Sequence, residues 1–147
     1  MNGSSGELFQ RGIELLEKGD CLSALSAFEK SLATNGYTAA CQSYISFLKA
    51  TERGQLNAAI SELEDLAGKA PDEPAVYLNL GKLYLKAGRK SQAIETFRKG
   101  LGCGKMPEAI RVLEQLGTRK PPVFRFLSRD HFLNKYSGKL LKKLGLR

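Results

Sequence analysis

The chain is poor in the residues from which most catalytic and metal sites are built. It has one histidine, His131, beside Asp130 near its C-terminal end, and no serine or cysteine motif points at it. Its three cysteines, Cys21, Cys41 and Cys103, include no CxxC pair, which argues against both a disulfide framework and a zinc cluster. Reduced, mostly buried thiols in a reducing compartment are the expectation, and a cytoplasmic location follows from it. No window approaches 18 consecutive apolar residues, so no membrane-spanning helix is expected. Met1 to Gly6 lacks the basic start and apolar run of a secretory signal, and residues 3–6 read equally as a flexible lead-in or an added remnant. A phosphate loop is missing too. In Gly100-Leu-Gly-Cys-Gly-Lys105 the GxxxxGK[ST] spacing fails, because Lys99 occupies the first glycine position and Met106 follows the lysine. Acids such as Glu62, Glu64 and Asp65 read as a solvated helix face. No catalytic residue, cofactor or metal is expected, and the chain reads as non-enzymatic.

Acid is scarce in one part of the chain only. Through Gly117 there are 14 Lys/Arg and 14 Asp/Glu; beyond it stand nine basic residues and one acid, Asp130. The whole net charge of +8 therefore lies in the last 30 residues, on Arg119, Lys120, Arg125, Arg129, Lys135, Lys139, Lys142, Lys143 and Arg147. Two segments with different electrostatic roles follow: a neutral 5–117 and a basic extension, 118–147.

The neutral segment is dominated by a repeat. Gly19, Gly54 and Gly88 are each followed five residues later by alanine (Ala24, Ala59, Ala93), and four residues after that by Phe28, Leu63 or Phe97. A period near 34 residues is the mark of stacked helical hairpins. Apolar spacing places helices around Leu8–Leu16, Ala24–Leu32, 38–53, Ala59–Leu66, Tyr77–Leu85 and Ala93–Leu101, and a seventh from Pro107 to Leu116, stopped by Gly117. Pro71-Asp72-Glu73-Pro74 is a break and restart, since proline cannot continue a helix but suits its first turn. The fold class is all-α: a solenoid of three hairpins (about 5–38, 39–73 and 74–107), a capping helix (107–117) and a basic helical extension.

Tyr77, Leu80-Gly81, Tyr84, Gly88, Ala93, Phe97 and Pro107 resemble the tetratricopeptide repeat family, as do Leu8, Gly12, Leu15, Gly19, Ala24 and Phe28. The resemblance implies that the small residues let paired helices approach closely while larger ones fill the gaps around them. The middle repeat departs from this, with Ser43, Phe47 and Ala50 where large, small, large is the pattern, which suggests a local exchange of sizes. The resemblance also implies a protein-binding role, with an inner surface lined by the first helix of each hairpin. Counting along those helices, the groove candidates are Phe9, Ile13 and Leu16, then Tyr44, Leu48 and Glu52, then Leu78, Lys82 and Lys86. This predicts a mostly apolar groove, with Lys82 and Lys86 favouring an acidic or C-terminal group at one end. The Lys/Asn carboxylate clamp of some family members does not carry over, because Phe9, Ile13 and Ala75 replace its polar residues.

An amphipathic helix or an extended apolar peptide would suit such a groove, and so would the chain's own Phe124, Phe126, Leu127, Phe132 and Leu133; the two stand nearly even. From about Asp130 to Leu144 a final amphipathic helix is predicted, with Phe132, Leu133, Tyr136, Leu140, Leu141 and Leu144 on one side and Lys135, Lys139 and Lys142 on another. The leading expectation is an interaction module or adaptor for a protein or peptide partner. The alternative is a tether whose basic extension holds an anionic membrane surface or nucleic acid.

Overall fold

A computed structural model describes residues 4–35 and 38–117. Among them lie seven α-helices: α1 (Ser5–Glu17), α2 (Cys21–Asn35), α3 (Ala39–Arg53), α4 (Leu56–Lys69), α5 (Pro74–Lys86), α6 (Lys90–Cys103) and α7 (Pro107–Gln115). The chain divides into two compact units at Gln115/Leu116. The expected extended stretch 123–127, the final helix and the whole basic cluster lie outside the described residues.

The periodic signals act at the level of single hydrogen bonds. Ser4 caps α1 reciprocally with Glu7, its hydroxyl accepting from the Glu7 amide while its own amide donates to the Glu7 carboxylate. Residues 4–6 therefore belong to the helical array, not to a lead-in. Gly19 and Gly88 turn their chains in the left-handed region, at φ 81° and 74°. At each, the next amide reaches back five residues (Asp20 to the Leu15 carbonyl, Arg89 to the Tyr84 carbonyl), which satisfies carbonyls the helix end leaves unpaired. Asp20 then restarts the chain by accepting from the Ser23 amide at 3.1 Å, and hydrogen bonding to the Ser23 side chain, then to its amide, holds the carboxyl below the usual range. Pro74 opens α5, and the Glu73 side chain caps it.

Each hairpin packs on itself and on the next: α1 on α2, α3 on α4, α5 on α6, with α3 also against α2 and α5, and α5 against α4. Ala24, Phe28, Leu63, Val76, Leu83, Ala93, Phe97 and Ala109 have no exposed surface. The glycines that the repeat places in the inner helices are holes for aromatic rings. A Cβ on Gly12 would sit 2.6 Å from Phe28 Cε1, and one on Gly81 would sit 2.4 Å from Phe97 Cε1. The expected exchange of sizes in the middle hairpin is thus between helices: at the positions equivalent to Gly12/Phe28 and Gly81/Phe97 stand Phe47 and Leu63, both buried. The large ring sits on the inner helix there. Helices α3 and α4 accordingly come together less closely than the other two pairs.

The glycine-rich segment 100–104 is packing material. Gly100 admits the Tyr77 Cβ and the Met106 sulfur, where a Cβ would lie 2.7 Å from each, and Gly104 lies against Pro74. This close fit brings α6 to its end beside the start of α5 and seats Met106 in the core. Helix α7 then starts on the inner side of the array.

Candidate functional site

The inner helices do form a recess, and α7 completes it. Two adjoining hollows, about 620 Å³ and 500 Å³, are bordered by α1, α3, α5 and α7 with the residues leading into them, and by no residue of α2, α4 or α6. Ile13, Leu16, Tyr44, Lys82 and Val112 border the first. Phe9, Tyr44, Pro74, Leu78 and Met106 border the second. Tyr44, Glu17, Glu108 and Arg111 border both, so the two hollows are continuous.

At the floor, the Tyr44 ring stacks on Phe28, with centroids 4.7 Å apart and planes at 9°, and Phe9 meets both rings edge-on at 5.5 Å and 5.8 Å. This cluster joins α1, α2 and α3. The ring that fills the Gly12 hole therefore also supports the groove floor.

Six of the nine groove candidates, with Glu52 outside it, border the recess: Phe9, Ile13, Leu16, Tyr44, Leu78 and Lys82. Leu48 does not. It is 1% exposed, because α3 is the central inner helix, covered by α2, α4 and α5, and eight of its residues are buried. Lys86 is exposed on the last turn of α5 and borders neither hollow. Lys82 is not an unpaired cation. Its ammonium pairs with Glu108 of α7 at 2.5 Å and lies 5.4 Å from the centre of the Phe47 ring. That leaves it poorly placed to clamp an incoming carboxylate.

The recess is also less apolar than the inner-helix count suggests, because its rim carries Glu17, Glu73, Lys105, Glu108 and Arg111. These residues had a signal in the sequence. Pro107 repeats Pro74 at an interval of 33, and the same step takes Leu78 to Arg111 and Lys82 to Gln115, both on the recess. Helix α7 is the inner helix of a fourth position as well as a cap. In the same way Glu17, not Leu16, is in register with Glu52 and Lys86.

Two buried phenols have raised pKa values. Tyr44 is pushed up to about 12, chiefly by burial and then by the carboxylates of Glu108, Glu73 and Glu17. Tyr84 is also pushed up to about 12, by burial and by donating a hydrogen bond to Glu64. A raised phenol pKa means that the fold favours the protonated form. The associated stability is complete below the ordinary value of 10 and is lost as pH climbs towards 12. We expect the melting temperature to fall across that window, and Tyr44→Phe to flatten the fall. An equally steep fall in Tyr44→Phe would show that Tyr44 contributes nothing to it.

Comparison with known proteins agrees with this architecture. A family model described as tetratricopeptide repeat matches residues 50–116. Among solved structures, the chain is similar to the Sgt2 TPR domain from Aspergillus fumigatus, at 19% identity and a TM-score of 0.54, covering 76% of this chain and 75% of that one. Searching the curated proteins gives no match. With the repeat in its sequence and hairpins nested on glycine and alanine, the chain has a tetratricopeptide-repeat-type fold and is similar to that family over residues 50–116.

Proposed function

We propose that the inner face is a non-catalytic binding site for a polypeptide segment of a partner, and that the protein works as an interaction module or adaptor. The observation that carries this reading is the continuous recess on the inner helices, with half-buried Phe9, Ile13, Leu16 and Val112 around a fixed aromatic floor. Partly exposed apolar side chains gathered in one concavity gain free energy by being covered, at about 25 cal/mol per Å² of apolar surface removed from water. An amphipathic helix or an extended apolar peptide is the kind of segment that such a groove takes.

The test uses side chains that border the recess without entering the core. Ile13→Gln together with Val112→Gln is expected to weaken partner binding at least about tenfold, the scale of two lost apolar anchors, while the melting temperature stays within a few degrees. Partners identified by cross-linking and mass spectrometry with the intact protein would be re-measured with this variant. Equal affinity for a stably folded double variant removes the inner face from the reading.

A further inference from the structure

The floor of the recess holds a hydroxyl that opens into the hollow and has no protein partner among the described residues. Tyr44 is 7% exposed and its ring is immobilised between Phe9 and Phe28. Its hydroxyl nevertheless makes no hydrogen bond among the described residues, and the side chain borders both hollows. Buried tyrosines ordinarily spend that hydroxyl on a partner. Tyr84 does so with Glu64, and Tyr77 with the Pro71 carbonyl at 2.9 Å.

Three carboxylates share the hollow with Tyr44: Glu17 from the end of α1, Glu73 at the start of α5 and Glu108 at the start of α7. Glu108 is answered by Lys82. Glu73 accepts one bond, from the Ala75 amide, which leaves a second oxygen available. Glu17 has no ion pair among the described residues. The apolar walls between them are Phe9, Pro74, Ala75 and Leu78. Lys105 and Arg111 border the same hollow, both on exposed positions at its rim. Burial first, then the carboxylates of Glu108, Glu73 and Glu17, favour the protonated Tyr44 hydroxyl.

We propose that this end of the groove receives a lysine or arginine side chain of the bound segment. Its aliphatic stem lies along Phe9, Pro74 and Leu78, and its cationic head meets the Tyr44 hydroxyl, Glu17 and Glu73. Long basic side chains suit such a pocket because the stem buries apolar surface while the head keeps polar partners. The partner segment is then basic as well as apolar, opposite in sign to the acidic group that Lys82 and Lys86 suggest from sequence. This inference rests on the inner-face reading above.

The experiment measures fluorescence anisotropy of the full chain with short labelled peptides that share one Leu/Phe pattern and carry Arg, Gln or Glu at a single position. The chain's net charge of +8 works against a cationic probe at long range, so a preference for arginine reports the local hollow. The Arg peptide is expected to bind about tenfold tighter than the Gln peptide, and the Glu peptide more weakly than either. Glu17→Gln, an exposed position whose change leaves packing intact, should shrink that preference about threefold, and Tyr44→Phe should reduce it while keeping the ring stack. Glu73→Gln also alters the α5 cap, so Glu17→Gln decides. Arg and Gln peptides of equal affinity, or a preferred Glu peptide, overturn the inference; if their binding still falls in Ile13→Gln/Val112→Gln, the inner-face reading stands without it. Failure of all three peptides to bind overturns both.

Discussion

Phe28→Ala is expected to destabilise the protein by about 3–5 kcal/mol, the usual cost of emptying a fully buried aromatic site. Phe28 has no exposed surface, fills the hole left by Gly12 and supports the Tyr44 ring from beneath. Against a total stability of about 5–15 kcal/mol for a domain this size, that loss is a large share. It should also free Tyr44, so peptide binding at the groove floor should fall more than stability alone accounts for. Urea titration of the variant checks the first part. A double-mutant cycle checks the cause: Gly12→Ala should be costly in the parent protein and neutral or stabilising once the Phe28 ring is gone. A loss below about 1 kcal/mol for Phe28→Ala would mean that the ring is not the keystone of the first hairpin.

Gly81→Val should be comparably severe in the third hairpin. Even a single methyl there would lie 2.4–2.7 Å from three ring atoms of Phe97, which is itself fully buried with nowhere to retreat. Overpacking of one group costs about 1–3 kcal/mol. Valine adds two further methyls in the same space, so at least about 3 kcal/mol is expected, well above the helix propensity gained on replacing glycine, roughly 0.5 kcal/mol. Thermal melts of Gly81→Val, alone and with Phe97→Ala, read this directly, because removing the ring should restore part of the loss. Gly68 is the control: nothing lies within 4 Å of a Cβ there, so Gly68→Ala should be harmless. Equal effects at positions 68 and 81 would show that close approach is not what glycine supplies at 81.

Why the sequence reveals so much of this fold is visible in these two residues. A ring can enter a helix–helix interface only where the facing helix has no side chain, so Gly12/Phe28 and Gly81/Phe97 leave a spaced signature in the chain. The turns are legible for a similar reason, since Gly19, Gly54 and Gly88 hold backbone angles that side chains resist. What counting along single helices misses depends on neighbours. Leu48 has the spacing of a groove residue but lies under the central helix's flanking partners. The Lys82–Glu108 pair joins residues 26 positions apart, and no local pattern announces it. The part played by Arg111 and Gln115 is legible only once α7 is read as one more step of the period, starting from Pro107.

The Lys82 ammonium sits between a carboxylate on the seventh helix and an aromatic face on the third, so one side chain braces three consecutive inner helices. Its charge is committed to holding the walls in place. A change at this position would alter the outline of the cradle before it altered its electrostatics, and the width of the opening and its polarity are thereby tied to the same residue.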